Sequence, residues 1–207
     1  MEKRQYAKGV AKREEILAAS LELIAEEGYG AVTIREVAAR AGLSKTGIGH
    51  HFASKDQLLT ALIAQRDAPA LEVLEDASPE DLFEITRTSM AWQHAIPGLT
   101  ELYVRLAAEA TDPDNAAHQF FAERFRAANE HGFAALEGLQ ETGHAPKSID
   151  PRVLSMLMSM LVDGIQLRLL YEPDLDMTAP LDALQNLFEL AARAEALAPP
   201  SDGPTAH

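Results

Sequence analysis

The chain has 207 residues, of which 47% are hydrophobic and 24% charged, a balance typical of a soluble globular protein. It contains no cysteine, which excludes disulfides and thiol catalysis, and no apolar run approaches the roughly 20 residues that a membrane span needs. The N-terminus is polar and basic and lacks the apolar stretch of a signal peptide, so we expect a cytoplasmic protein that does not enter membranes.

Charge is distributed unevenly along the chain, whose formal net charge is −14. Residues 1–66 contain ten lysines or arginines and eight acidic residues, whereas residues 67–207 contain eight basic and twenty-four acidic residues. This asymmetry indicates an N-terminal part that faces an anion, although an acidic protein with a basic tail explains it equally well. The basic residues nearest the N-terminus, called the basic arm below, are Lys3, Arg4, Lys8, Lys12 and Arg13.

Apolar residues recur at helical spacing along the chain, and no strand-like alternation stands out. The first stripe covers residues 13–27 and ends at Gly28. Thr33 and Glu36 have the spacing of a capping box, with Glu36 reaching back, and they open a short second helix that ends at Gly42. Local signals therefore delimit the first two helices.

The third and fourth helices are delimited in the same way. Ser44 is a suitable N-cap for a third helix over residues 45–52, and Ser54 with Gln57 forms another capping box that opens a longer helix. Prolines at first helical positions mark several later starts. The pattern as a whole predicts an all-α fold of about nine helices.

The sequence SKTGIGHHF, residues 44–52, carries the first functional signal. It follows a short helix across the turn AGLS, which is the layout of a helix-turn-helix whose second helix enters the DNA major groove. Ile48 and Phe52 share one face and must pack inward. Glycine inside a helix costs roughly 0.5–1 kcal/mol, so glycines on the outward face indicate close approach to another molecule. The outward positions are Thr46, Gly47, Gly49 and His50.

Groups suited to phosphate surround this segment. Thr33 and Ser54 sit at helix N-termini, where free N–H groups and the helix dipole attract anions. Lys55 adds a cation at one of them, and Lys45 begins the recognition helix. The basic arm suits contacts to the DNA backbone or minor groove.

Residues 13–62, REEILAASLELIAEEGYGAVTIREVAARAGLSKTGIGHHFASKDQLLTAL, resemble the DNA-binding domain of the TetR (tetracycline-repressor) family of transcription regulators along its whole length. The resemblance implies a homodimer whose paired N-terminal domains bind a palindromic operator in double-stranded DNA. It also implies a C-terminal domain that binds a small effector and forms the dimer interface. We therefore expect a ligand-responsive regulator, and a repressor rather than an activator.

One residue departs from the family pattern. Many members carry an aromatic residue, often tyrosine, at the position of Gly49, where it contacts the DNA backbone. We expect base recognition here to fall mainly on Lys45, Thr46, His50 and His51. The predicted DNA-binding residues are Thr33, Ser44, Lys45, Thr46, Gly47, Gly49, His50, His51, Ser54 and Lys55.

The helix that begins at Pro151 is apolar in nearly every direction through Tyr171. Such a helix must be buried on more than one side, and a second copy of the chain is the expected cover. A central helix buried within a monomer is the alternative. The predicted interface residues are Leu157, Leu161, Ile165, Leu184, Leu187 and Phe188.

Aromatic and sulfur-containing side chains concentrate in residues 79–171, as expected for an apolar ligand pocket. We expect a small, mainly hydrophobic effector whose charge the sequence leaves open. The helix that starts at Ser54 joins both predicted domains and is the natural lever between them. The predicted effector-binding residues are Phe83, Met90, Trp92, Tyr103, Phe121, Phe125, Met158 and Gln166.

The adjacent histidines His50 and His51 do not face each other on a helix, and no metal-ligand spacing accompanies them. We expect no metal, no cofactor and, without a P-loop or nucleophile motif, no enzyme; a metal bound among His94, His118 and carboxylates of the effector domain stays open. Two alternatives stay open: a regulator that has lost DNA binding, and a helical enzyme. The predicted domains are a helix-turn-helix domain with its basic arm at 1–55, an effector-binding and dimerisation domain at 56–198, and a disordered tail at 199–207.

Overall fold

The computed structural model describes residues 2–198, and the side chains of residues 8–198 except Glu75. This part of the chain is all-helical, as predicted, with short 3-10 turns at Tyr29–Ala31 and Pro79–Asp81. The tail predicted at 199–207 lies outside the described residues. The helices are α1 (Glu2–Glu27), α2 (Ile34–Arg40), α3 (Lys45–Gly49), α4 (Lys55–Asp76), α5 (Leu82–Ala95), α6 (Leu99–Glu109), α7 (His118–Glu141), α8 (Pro151–Leu169) and α9 (Ala179–Leu197).

Two helices differ in length from the sequence prediction. α1 begins at Glu2 instead of residue 13, because its polar first half carries good helix formers but no apolar stripe that would reveal it. α3 ends at Gly49 instead of Phe52. The backbone N–H groups of His51 and Phe52 both donate to the Ile48 carbonyl, at 2.9 Å each, and so close the helix early.

The predicted N-caps are present. The side-chain oxygens of Thr33, Ser44 and Ser54 each accept from a backbone N–H three residues later, at 3.1, 3.0 and 3.1 Å. Gln57 departs from the predicted capping box, because its Oε1 accepts from the backbone N–H of Ala53 at 2.6 Å and not from that of Ser54. These local bonds fix where α2, α3 and α4 begin.

One hydrophobic core joins the first four helices to α6 and the start of α7. Leu102 and Leu106 of α6 pack in the same cluster as Ile16 and Ile24 of α1. Gly98, at φ 77°, begins α6 directly against α1, where a Cβ would collide with Ile24. The core continues across the domain boundary predicted between residues 55 and 56, which stays a prediction.

Two smaller clusters hold the remaining helices together. One joins α5, α7, α8 and α9 and includes Phe83, whose ring meets that of Phe188 edge-on at a centroid distance of 5.9 Å. The other packs Met90 of α5 against Ile165 of α8 and Leu181 of α9. α4 and α5 therefore lie beside α7 and α8, and the open cavity described below lies between these four helices.

Candidate DNA-binding surface and effector cavity

The predicted recognition helix, α3, packs on the core through one side only. Ile48 is fully buried, and Phe52, just beyond the helix, is 1% exposed. The buried face matches the one that the sequence spacing predicted, so the polar side is left free for a partner. Ser44, Lys45, Thr46, Gly49 and His50 are exposed, and Gly47 and His51 are half-buried.

The two glycines of α3 are not required by the protein's own packing. A Cβ built on Gly49 meets no described atom within 4 Å. A Cβ on Gly47 would lie 3.3 Å from Ser44 Oγ, which is tight but not a collision. The backbone of α3 is therefore accessible at its outer side, and a large molecule can approach it there more closely than it could approach an alanine.

The N-terminal end of α4 places a cation beside α3. Lys55 Nζ lies 4.8 Å from the centroid of the Tyr29 ring, and Ser54 caps the helix that Lys55 begins. Cation–π contact holds the ammonium group near the ring while leaving it half-exposed. The position combines a helix N-terminus with a fixed cation, which suits a phosphate group.

Two members of the basic arm fasten α1 to the helix-turn-helix. Lys12 Nζ donates to the Ala41 carbonyl at 3.1 Å, just after α2, and Arg13 lies over the Phe52 ring at 4.4 Å. Lys8 is exposed, and the side chains of Lys3 and Arg4 lie outside the described ones. These contacts tie the orientation of α1 to that of α2 and α3.

Tyr29 connects this surface to α6. Its hydroxyl donates to Glu109 at the end of α6, at 2.7 Å. Burial and this hydrogen bond raise the pKa of Tyr29 well above its usual value, so the phenol stays protonated and remains a donor. The end of α6 is thereby linked to the ring that carries Lys55.

A cavity of about 430 Å³ lies between α4, α5, α7 and α8. Its volume falls in the range typical of small-molecule sites. Most of the lining is aliphatic or aromatic, and Leu71 and Glu123 are exposed at its rim. The larger apolar lining residues are Leu71, Leu74, Ile85, Met90, Phe120 and Val162.

A buried polar cluster forms one wall of this cavity. Arg66, 3% exposed, donates from Nε to Asp67 at 3.0 Å and from Nη1 to Gln166 Oε1 at 3.1 Å. Arg124 donates from Nε to the other oxygen of Asp67 at 2.6 Å. Helices α4, α7 and α8 thus meet through two guanidinium groups that share one carboxylate.

Tyr103 of α6 contacts the same cluster through both its ring and its hydroxyl. Arg66 lies over its ring at 4.0 Å, Arg124 Nη1 donates to its hydroxyl at 3.0 Å, and the hydroxyl donates to Asp163 at 2.7 Å. Burial raises the pKa of Asp163 and lowers that of Arg66, because both charged forms are desolvated. The cluster therefore holds two positive and two negative groups in a poorly solvated interior.

Comparison with known proteins agrees with the helix-turn-helix. The profile described as bacterial regulatory proteins, tetR family, matches residues 16–62. The repressor AcnR of Corynebacterium diphtheriae is 28% identical over 185 residues, 88% of this chain and 92% of AcnR. The repressor Rv1474c of Mycobacterium tuberculosis is 27% identical over 177 residues, 85% and 92% of the two chains. Residues 16–62 therefore carry the TetR-family helix-turn-helix, and most of the chain is similar to two named repressors.

Solved structures of other proteins share the fold of this chain. A TetR-family regulator from Rhodococcus sp. superposes with a TM-score of 0.72 at 22% identity, covering 86% of this chain and 99% of that one. FadR of Bacillus subtilis in complex with stearoyl-CoA has a TM-score of 0.68 at 17% identity over 86% and 98% of the chains. A SmeT–triclosan complex has a TM-score of 0.67 at 22% identity, covering 87% of this chain and 91% of SmeT.

The predicted effector-binding residues fall into three places in this chain. Met90 and Gln166 line the cavity, and Tyr103 supports its polar wall. Trp92, 45% exposed, lines a groove of about 470 Å³ on the outer side of α4 and α5. The remaining four lie in core clusters away from both spaces, since apolar periodicity marks core and pocket wall alike: Phe83, Phe121, Phe125 and Met158.

Sequence reasoning missed the charged residues of the cavity wall. Arg66 follows Leu59 and Ile63 on the buried side of α4, at helical spacing, so a cation stands where the apolar stripe predicts an aliphatic residue. That break in the pattern was the available signal. Asp67 and Arg124 carry no comparable signal, because their role arises only when α4 and α7 come together.

The residues predicted at the dimer interface divide between surface and core. Leu157 is 46% and Leu187 61% exposed, while Leu161 and Leu184 are half-buried. Ile165 and Phe188 are buried inside the chain's own clusters and offer little surface to a partner. Further exposed apolar side chains extend this α8–α9 face: Val153, Met156, Met160, Leu167 and Leu190.

Over residues 2–198, no helix is long and apolar enough to cross a membrane. Among the side chains that the structure describes, no group of three or more is placed to hold a metal ion. His50 and His51 are thus without further metal ligands among the described residues.

Proposed function

We propose that this TetR-family chain is a dimeric repressor that binds a palindromic operator through α3 and its surroundings, and that leaves the operator when a small ligand enters the cavity between α4, α5, α7 and α8. The two relatives that match most of the chain are named transcriptional repressors, which supports repression over activation. Two structures with the same fold contain stearoyl-CoA and triclosan, which supports a ligand with a large apolar part.

The observation that carries the proposal is the one-sided burial of α3. Ile48 and Phe52 fill the core, and the outer face presents only small or polar groups next to exposed backbone. We assign contacts with base edges to Lys45, Thr46 and His50. Phosphate contacts are assigned to the helix starts at Thr33 and Ser54, to the neighbouring Ser44, and to the cation at Lys55.

The dimer is supported by the exposed apolar residues of α8 and α9. Leu187 and Leu190 are each 61% exposed on α9, and Met160 is 60% exposed on α8. Exposed apolar side chains concentrated on two packed helices mark an interaction surface, and a second copy presenting the same face gives a closed two-fold contact. Such a dimer would present two recognition helices to half-sites about 34–36 Å apart.

Ligand and DNA communicate through α4 in this proposal. The helix begins at Lys55 beside α3 and supplies Arg66 and Asp67 to the cavity wall. A ligand that repositions this wall changes the tilt of α4 and hence the spacing of the two recognition helices. Moving the DNA-competent state from 99:1 to 1:99 takes about 5.5 kcal/mol of differential ligand affinity, which a buried ligand can provide.

Selection of random duplexes by the full-length chain tests the proposal. We expect enrichment of a palindrome, with binding that weakens as salt rises because phosphate contacts release counterions. Lys45→Ala should weaken binding to the selected duplex. Arg126→Ala, which removes an exposed cation from α7, is the matched control and should not.

Failure to enrich any sequence would favour a regulator that has lost DNA binding. Gly49 is the specific observation in favour of that second candidate, since it offers no side chain where many TetR-family members have an aromatic contact. In that case wild type and Lys45→Ala would bind random duplexes with equal, weak affinity.

A further inference from the structure

We propose that the cavity takes an amphipathic anion, whose carboxylate meets Arg66 and Gln166 while its aliphatic or aromatic body lies between α4, α5 and α7. This inference rests on the proposed function, because it names the chemical class of the effector. Neither the family nor the similar structures specify it for this chain.

The first support is the hydrogen-bonding capacity left over in the polar wall. Both oxygens of Asp67 already accept from arginines, and Gln166 Oε1 accepts from Arg66. Arg66 Nη2 and Gln166 Nε2 form no hydrogen bond with the described residues, and neither atom is sealed from the cavity space. A guanidinium has five N–H donors and a carboxamide two, so the unused groups at this wall are donors. The wall therefore favours a ligand that accepts hydrogen bonds.

The second support is the electrostatic state of Arg66. Burial lowers its pKa, and the positive charge of Arg124 acts in the same direction while Asp67 opposes it. Asp67 is shared with Arg124, and the second carboxylate, Asp163, accepts from the Tyr103 hydroxyl instead of from Arg66. A ligand carboxylate beside Arg66 would give this guanidinium a directly bonded counter-charge of its own, whereas an ammonium group would add a third cation.

The third support is the rest of the lining. Leu74, Ile85, Met90 and Val162 give the cavity aliphatic walls without further cations. A ligand with several charges would leave most of them unpaired against these walls, at a large desolvation cost. The cavity therefore fits one anionic end and an extended apolar body.

Calorimetric titration of the full-length chain at pH 8, without DNA, tests the ligand class. The probes are hexanoate, decanoate and naphthalene-2-carboxylate, each compared with the alcohol and the amine of the same skeleton. We expect at least one carboxylate to bind about tenfold more tightly than its alcohol, as a charge-assisted hydrogen bond predicts, and the amine to bind most weakly.

Two variants separate the charge effect from loss of fold. Asp163→Asn keeps an acceptor for Tyr103 but removes a negative charge that acts on both arginines, so it should tighten carboxylate binding and leave alcohol binding unchanged. Asp174→Asn removes an exposed charge instead and should change neither. Gln166→Leu should weaken carboxylates by about tenfold relative to alcohols.

The proposal is overturned if no carboxylate binds, if alcohols bind as tightly as carboxylates, or if Asp163→Asn changes both classes equally. Because these titrations contain no DNA, such a result leaves the proposed repressor intact. Conversely, the chain could bind carboxylates selectively and yet enrich no operator. That result would contradict the proposed repressor function and support the proposed ligand class.

Discussion

Two cations on the same helix occupy opposite environments. Lys55 lies over the ring of Tyr29, whose hydroxyl donates to Glu109 at 2.7 Å. Arg66 lies over the ring of Tyr103, whose hydroxyl donates to Asp163 at 2.7 Å. The first site is half-exposed beside α3, whereas Arg66 is 3% exposed in the cavity wall.

The two sites show how burial changes what a cation over a tyrosine ring requires from its neighbours. At the outer site, water solvates the ammonium group, so Lys55 needs no counter-ion and can contact a phosphate at little desolvation cost. At the inner site, the desolvated charge of Arg66 is compensated by hydrogen bonds to Asp67 and Gln166. We expect the outer cation to contribute to DNA affinity and the inner one to stability and ligand selectivity.

Stability offers the largest expected contrast between the two sites. Arg66→Met should lower the free energy of unfolding by about 3–5 kcal/mol, because removing one partner leaves buried polar groups unpaired. Lys55→Met should cost only about 0.5–1 kcal/mol, the value of an exposed cation–π contact. Urea denaturation with an unchanged m-value measures both, and equal losses would contradict the contrast.

Breaking the dimer should weaken DNA binding, in which the outer site takes part, and leave ligand binding at the inner site unchanged. Leu187→Glu places a charge on the exposed α8–α9 face and should yield a monomer with about 100-fold weaker operator binding, since two linked half-sites are lost. Ligand titration should be unaffected. Light scattering gives the oligomeric state, and Val73→Glu, on the exposed side of α4, is the control that should leave it unchanged.

Base recognition is expected to depend on α3 and not on Lys55. Thr46→Ala and His50→Ala should each lose about 1–3 kcal/mol of discrimination at one operator position while binding to random duplexes changes little. Competition titrations with singly substituted operators measure this. An equal loss of affinity for all sequences would instead indicate that Thr46 and His50 contact phosphates and not bases.

The outer cation should act through salt-dependent binding. Lys55→Ala should reduce the slope of log affinity against log salt by about 0.9, the value for one phosphate contact. Anisotropy titrations at several salt concentrations give the slope. An unchanged slope would mean that Tyr29 keeps Lys55 away from the DNA backbone.

Gly49 should give the smallest effect. Gly49→Ala should stabilise the chain by roughly 0.5 kcal/mol, because the new Cβ meets no atom within 4 Å and alanine favours the helix. The same change should weaken operator binding if the DNA approaches the backbone there. A variant with more stability and unaltered affinity would show that this glycine makes no close contact.

The helix-turn-helix could be predicted because its signals are local. Thr33, Ser44 and Ser54 each bond a backbone N–H three residues away, so the sequence window that defines the cap also contains its partner. The end of α3 could not be predicted in this way, since Gly47 and Gly49 weaken the helix and tertiary packing of Phe52 decides where it closes.

The cavity wall could not be predicted because its contacts are distant in sequence. Arg66 and Gln166 are 100 residues apart, and Arg124 and Asp67 are 57 apart. The orientation of α8 could not be predicted either, because this helix is apolar on nearly every side. With no polar face to orient it, the sequence could not tell exposed Leu157 from buried Ile165.

The core that α6 shares with the first four helices limits how this chain can be recombined with relatives. An exchange of residues 1–55 alone would set a foreign α1 against Gly98 and Leu102, where the native Ile24 leaves no spare room. Carrying α6 along with the exchange would preserve that fit but would also transfer Tyr103, which supports Arg66. Hybrid sensors built from this chain are therefore expected to inherit part of their ligand preference from whichever parent supplies the operator-binding half.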